Sequence, residues 1–155
     1  MRRALTRIKA RRRTPADNAS MSEASPDAIP TRDDIARLVD VFYDRIQTDP
    51  ILGPVFNPAV HDWPAHKATL VQFWASVALG SREYRGNPMA AHRPHPILDE
   101  HFGHWLALWR QTAHEVMDDA QAEQMYAYAQ RIARSLRFGL GLDGGRRALP
   151  MHPAA

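Results

Sequence analysis

The sequence contains no cysteine and no long apolar run. Without cysteine there are no disulfides, thiolate zinc sites or iron–sulfur clusters. No run approaches the roughly 18 apolar residues that span a bilayer, and the N-terminus lacks the apolar stretch of a secretory signal. These absences predict a cytoplasmic protein. At 155 residues and 45% hydrophobic composition, the chain is long enough for one domain with a buried core.

Acidic residues are scarce only at the N-terminus. Residues 1–20 carry seven Lys or Arg residues against a single acid, Asp17, which leaves 13 basic and 16 acidic residues after position 20. The overall charge of +3 therefore belongs to the N-terminal segment, and the composition does not favour a nucleic-acid-binding domain. The segment itself has the composition of a targeting peptide or a nucleic-acid arm. Alternatively, the polar stretch that begins at Met21 is typical of an ordinary N-terminus and favours an inert extension or a misassigned start.

The chain has helical periodicity and no alternating pattern of the kind that predicts strands. Residues 1–30 are predicted to be a disordered extension, residues 31–141 an all-α domain, and residues 142–155 a flexible tail. Thr31 and Asp34 have capping-box spacing at the start of the first helix. The pattern predicts four main helices and one short one. The first helix has about four turns and ends before Asp49, the second runs from Asp62 to Gly80, and the short helix has one or two turns around 88–93. A long helix follows from Ile97 to Met117, and the last helix is capped by Asp118 or Asp119 and closed by Gly139 and Gly141. The turn-rich stretch 52–58 is predicted to form no long helix.

Eight histidines suggest metal binding, and two arrangements compete. His101 and His104 have an i,i+3 spacing that could hold zinc with His92 or His95 as a third ligand, but the chain has no HExxH motif, which favours solvated surface histidines. Alternatively, His66 and His92 flank a helix with an apolar, aromatic face that would suit a flat apolar cofactor. Such a face is also typical of ordinary core packing.

Five sequence motifs favour the second arrangement. They are VFYDRI (41–46), LGPVFN (52–57), HKATLVQFWASVALGS (66–81), YRGNPMAAH (84–92) and HFGHWLALW (101–109). In this order and with these aromatic and histidine residues, the stretch from Ile35 to Trp109 resembles the group III truncated haemoglobins. The resemblance implies a shortened, all-α globin fold in which two pairs of antiparallel helices cross around a haem, a two-over-two sandwich.

The resemblance also implies the roles of individual residues. His92 matches the proximal iron ligand, and Tyr43, His66 and Trp105 match the distal polar positions that stabilise a bound gas. With no cysteine for a CxxCH attachment, the cofactor is expected to be non-covalent haem b. Further expected haem contacts are Phe42, Phe56, Leu70, Phe73, Trp74, Phe102, Trp105 and Ile132, with Arg93 as a partner for a haem propionate. For Phe73, Phe102 and Ile132, ordinary core packing is a nearly equal alternative. For Arg93, the equal alternative is a solvated surface position. The sequence does not determine the orientation of His66.

The expected function is reversible dioxygen binding at ferrous iron, in the service of oxygen or nitric oxide chemistry rather than bulk storage. Small ligands would be dioxygen, nitric oxide or carbon monoxide, and turnover of any dioxygen, nitric oxide or peroxide chemistry would need a reductase. We expect a monomer without nucleic-acid or membrane partners. The alternatives are a haem-based gas sensor or interaction module and a helical zinc-binding protein.

Overall fold

The computed structural model describes residues 29–142, which fold into helices with no strand in that range. The helices are α1 (Arg32–Thr48), α2 (Gly53–Phe56), α3 (Trp63–Leu79), α4 (Pro88–His92), α5 (Asp99–Val116) and α6 (Asp119–Gly139). None of these helices is long and apolar enough to cross a membrane. The four long helices and the short α4 agree with the sequence-based prediction.

The helix boundaries follow from local capping chemistry. The Thr31 side chain accepts a hydrogen bond from the Asp34 amide while Asp34 bonds back to the Thr31 amide, so the predicted capping box starts α1. Asp62 caps α3 by accepting from the Ala65 amide, and Asp118 caps α6 by accepting from the Gln121 amide. Gly80 ends α3 with φ of 68°, a left-handed conformation that glycine adopts without steric penalty.

The stretch 52–58 differs from the prediction in one respect, because residues Gly53–Phe56 form a single helical turn, α2. Pro54 lies in the first turn, where the missing amide hydrogen costs no helical hydrogen bond. The turn is joined to α1 by Asp49, whose side chain accepts from the amides of Ile51 and Leu52. This places Phe56 beside the end of α1.

Two helix pairs build the domain. In one pair α1 packs on α3, and in the other α5 packs on α6; contacts between α1 and α5 join the pairs. Only Met117 and Asp118 separate α5 from α6, so these two helices are antiparallel neighbours. Four fully buried side chains mark the centre of the core, namely Leu38, Phe42, Trp74 and Trp109.

Candidate functional site

A cavity of about 420 Å³ lies between the helix pairs and receives side chains from all six helices. This volume falls in the range of small-molecule and cofactor sites, about 300–1,000 Å³. Most of the predicted site residues line it: Tyr43, Phe56, His66, Leu70, Phe73, Trp74, His92, Phe102, Trp105 and Ile132. The fold thus gathers residues that are up to 89 positions apart in the sequence around one space.

Phe42 and Arg93 are not among the described residues that line this cavity. Phe42 is fully buried and packs edge-on against Tyr43, Trp105 and Trp109, with ring centroids 4.8, 5.7 and 4.9 Å away. It therefore supports the cavity wall from behind. Arg93 caps the C-terminus of α4 and is exposed to solvent.

The short helix α4 presents His92 to the cavity. Asn87 caps α4 by accepting from the Ala90 amide, and Pro88 occupies its first turn. The His92 Nδ1 atom lies 2.5 Å from the Pro88 carbonyl oxygen. Because a carbonyl can only accept, Nδ1 carries the proton, and the lone pair of the neutral ring is on Nε2. His92 therefore offers one imidazole nitrogen suited to iron.

Three donors from α1, α3 and α5 meet in another part of the same cavity. Tyr43 is 3% exposed, and burial raises the pKa of its phenol, while the indole N–H groups of Trp105 and Trp74 act in the opposite direction. The phenol therefore stays protonated at neutral pH. Trp105 and Trp74 are held by stacking on Trp109, at centroid distances of 5.5 and 4.5 Å.

The indole nitrogen of Trp74 is a buried donor that makes no well-formed hydrogen bond among the described residues, although it lies close enough to the Tyr43 phenol to act on the pKa of that group. An unpaired buried donor costs about 1–3 kcal/mol, so proteins rarely leave one without a reason. A ligand with acceptor atoms in the cavity would reduce this cost. From the sequence, Trp74 was predicted to be a haem contact without a polar role, because periodicity does not show where an indole N–H points.

His66 lies beside Tyr43 at the cavity. Its ring is edge-on to Tyr43 and to Trp63, with centroids 6.2 and 5.7 Å away. Burial lowers the pKa of His66, so its ring is neutral near pH 7. The next residue, Lys67, binds both Asp40 and Asp44 at 2.8 and 2.6 Å and so fastens the start of α3 to α1.

Several cavity residues were not predicted, including three polar ones, Tyr84, His95 and His101. Tyr84 packs edge-on against Phe73, and burial raises the pKa of its phenol. His101 and His104 were interpreted as solvated surface residues, but His101 lines the cavity and His104 binds the Asp49 carboxylate at 3.0 Å. Thr69, whose hydroxyl donates to the Ala65 carbonyl, was not predicted either. The unpredicted apolar members are Leu52, Val55, Ala59, Val60, Pro88, Ala91, Ile97, Ala133 and Leu136. For Ala133 and Leu136, the signal was available in the sequence, since both share the periodic face of Ile132.

Within residues 29–142, no group of three or more His, Cys, Asp or Glu side chains is placed to hold a metal ion. Among these residues, neither His92 nor His95 therefore forms a zinc site with His101 and His104. The His104 ring instead contacts the Asp49 carboxylate. Haem suits the site better. An apolar cavity in which His92 keeps the Nε2 lone pair free, with a separate set of neutral donors, matches what a porphyrin and a polar gas require.

Comparison with known proteins gives the same family at the levels of sequence and structure. A model of the bacterial-like globins matches residues 26–137. The group 3 truncated hemoglobin ctb of Campylobacter jejuni is 33% identical over 119 residues, covering 74% of this chain and 94% of the relative. A group 2 truncated hemoglobin of Bacillus subtilis is 32% identical over 85 residues, covering 53% of this chain and 64% of the relative. The crystal structure of the group III truncated hemoglobin from C. jejuni aligns with a TM-score of 0.70 and 32% identity, covering 75% of this chain and 95% of that one.

Proposed function

Because the chain belongs to the group III truncated haemoglobins, a family of haem-binding globins, we propose that it holds haem b through His92 and binds dioxygen reversibly. The observation that carries the proposal is the single cavity in which the free imidazole nitrogen of His92 and the neutral donors Tyr43 and Trp105 are brought together. When bound, haem would supply a ferrous iron that binds diatomic gases.

His92 would hold the cofactor on its proximal face. The hydrogen bond from Nδ1 to the Pro88 carbonyl fixes the ring and makes Nε2 more basic, which strengthens a bond to iron. The same contact limits rotation of the ring within α4. Phe73, Phe102 and Ile132 would contact the porphyrin, which favours their predicted role as cofactor contacts over core packing alone.

Tyr43 and Trp105 would act on the gas. Bound dioxygen carries partial negative charge, and a neutral phenol O–H and an indole N–H can both donate to it in a cavity that excludes water. Each such bond contributes roughly 1 kcal/mol, so two of them slow ligand release by about one to two orders of magnitude. Slow release favours oxygen or nitric oxide chemistry over bulk delivery. Such chemistry would oxidise the cofactor and require an electron donor, for which a separate reductase is proposed.

An absorption spectrum tests cofactor, ligation and open coordination together. The purified full-length protein, reconstituted with haemin and reduced with dithionite, is expected to show a Soret band that shifts on addition of carbon monoxide. A protein that gives no Soret band, or a Soret band that carbon monoxide does not alter, would contradict the proposal.

A further inference from the structure

We propose that one edge of the cavity is a carboxylate-binding site, in which the rings of His101 and His95 donate hydrogen bonds to the two propionate groups of haem. This inference rests on the proposed function and deepens it, because it sets how the cofactor is oriented within the cavity. The ligand class is an alkyl carboxylate attached to a flat apolar body. From the sequence, Arg93 was the expected partner of a haem propionate.

The composition of the cavity wall limits the choice of carboxylate partners. Among the described residues that line the cavity, none is Asp, Glu, Lys or Arg. The ionisable residues of the wall are only histidines and tyrosines. His92 has its free nitrogen committed to iron in the proposed function, and Tyr43 and His66 lie together in the distal part. Tyr84, His95 and His101 remain.

His101 is held in a fixed orientation with one donor free. Its Nδ1 atom accepts a hydrogen bond from the Leu98 amide at 2.9 Å, at the third position of α5. Because Nδ1 is an acceptor here, the proton of the neutral ring is on Nε2. The ring is only partly buried, and Nε2–H is available as a donor to an anionic oxygen. Hydrogen bonds to a charged acceptor are about twice as strong as neutral ones.

His95 is fixed by its backbone. Its amide donates to the His92 carbonyl at 3.1 Å, and its own carbonyl accepts from the Ile97 amide at 2.9 Å. This tight turn brings the His95 ring to the cavity next to α4. No hydrogen bond to that ring is found among residues 29–142, so it too can donate.

The segment that carries these residues faces solvent. Pro94, Pro96 and Leu98 are exposed, whereas Tyr43 and Trp74 in the distal part of the wall are almost fully buried. Moving an ionised carboxylate into an apolar interior is costly unless it is hydrogen-bonded. The two propionates therefore lose least hydration at the edge formed by His95 and His101, and this edge also supplies donors.

Paired substitutions at position 101 separate carboxylate binding from helix capping. Gln and Glu both cap a helix from this position, but only Gln keeps a donor for a carboxylate, whereas Glu repels it. The measurement is the rate at which haemin leaves the ferric holoprotein for excess apomyoglobin. We expect His101→Glu to lose haemin roughly tenfold faster than wild type, which corresponds to about 1.4 kcal/mol, and His101→Gln to stay within about twofold. Ala107→Glu adds the same charge at an exposed position of α5 outside the cavity, and Arg93→Gln removes the originally expected partner; both should match wild type.

A second cofactor completes the test. Reconstitution with haemin dimethyl ester, in which both carboxylates are blocked, should abolish the difference between His101→Glu and His101→Gln. His95→Ala should accelerate loss of haemin but not of the ester. Equal rates for His101→Glu and His101→Gln with haemin, a difference that persists with the ester, or faster loss in Arg93→Gln than in His101→Glu would overturn the inference. A wild-type protein that forms no Soret complex would instead contradict the proposed function.

Discussion

At the scale of single residues, His92 is set apart from the other cavity histidines by the hydrogen bond from its Nδ1 atom to the Pro88 carbonyl, which leaves the Nε2 lone pair free. We predict that His92→Ala abolishes stable haem incorporation, whereas His95→Ala, His101→Ala and His104→Ala retain a Soret band, because only His92 is expected to bond iron. Absorption spectra after reconstitution and gel filtration measure this. A normal spectrum for His92→Ala beside a colourless His101→Ala would identify a different ligand.

Tyr43 and Trp105 are predicted to restrain dioxygen jointly. Replacing either residue by Phe should raise the dioxygen dissociation rate by roughly tenfold for each hydrogen bond of about 1.4 kcal/mol that is lost. In the double variant, the increase should be less than the product of the two single effects, because both donors bind one ligand. Carbon monoxide, which carries less negative charge, should respond more weakly. Stopped-flow dissociation of both gases measures this. Unchanged dioxygen release in all variants, or equal changes for the two gases, would mean that these residues act only as walls.

At the scale of helices, Gly139 of α6 lies against the flexible end of the Met89 side chain on α4. A Cβ atom at position 139 would overlap the Met89 Cε atom, so a side chain here must displace the end of Met89. We predict that Gly139→Val lowers the stability of the holoprotein by no more than about 1 kcal/mol, because the methionine end can move, and that it accelerates haem loss, because α4 carries His92. Thermal unfolding and haemin transfer measure the two effects.

Gly103 is a suitable control, because a Cβ atom at that position of α5 meets nothing within 4 Å. Gly103→Val should leave haem retention unchanged. Adding Met89→Ala to Gly139→Val should recover part of the lost stability, since the two side chains share one space. Additive losses in the double variant would refute the proposed contact.

The α5–α6 pair carries a pH-dependent contact at His114. Hydrogen bonds to Asp119 and Glu123 outweigh burial and raise the pKa of His114 above its usual value. A raised pKa means that the protonated ring stabilises the folded state at low pH, and that this contribution is lost as pH rises through the raised value. We therefore predict that His114→Gln lowers the melting temperature more at about pH 5.5 than at about pH 9. His61→Gln, at an exposed histidine, should show no such pH dependence; an equal loss for His114→Gln at both pH values would contradict the mechanism.

At the scale of the whole molecule, the basic segment of residues 1–20 lies outside the part of the chain that matches the family. The family match begins at residue 26, and α1 begins at Arg32. We predict that removing residues 1–20 leaves the melting temperature and ligand binding unchanged while lowering the isoelectric point, because this segment carries the net positive charge. Loss of haem or a large fall in melting temperature would contradict this. Of the extension predicted to be disordered over residues 1–30 and the tail predicted to be flexible over residues 142–155, residues 1–28 and 143–155 lie outside the described residues.

The sequence by itself determined the elements that depend on neighbours along the chain. The capping box at Thr31, the stop at Gly80 and the brief turn that ends in His92 each arise from side-chain or backbone chemistry within a few residues, so their positions were predictable. The family resemblance likewise predicted ten of the 23 described residues that line the cavity. Only the tertiary structure decided which face of each helix the cavity touches.

The tertiary structure therefore places several residues differently from the sequence-based prediction. Phe42 packs in the aromatic core behind the cavity wall, and Arg93 is exposed to solvent. His95 and His101 line the cavity, although their segment of the sequence had been interpreted as surface. The lack of a well-formed hydrogen bond at the Trp74 indole nitrogen is also evident only from the tertiary structure. The physical reason is that the helical periodicity of a sequence indicates only that a side chain is buried. The residues that it packs against depend on how α1 and α3 cross α5 and α6.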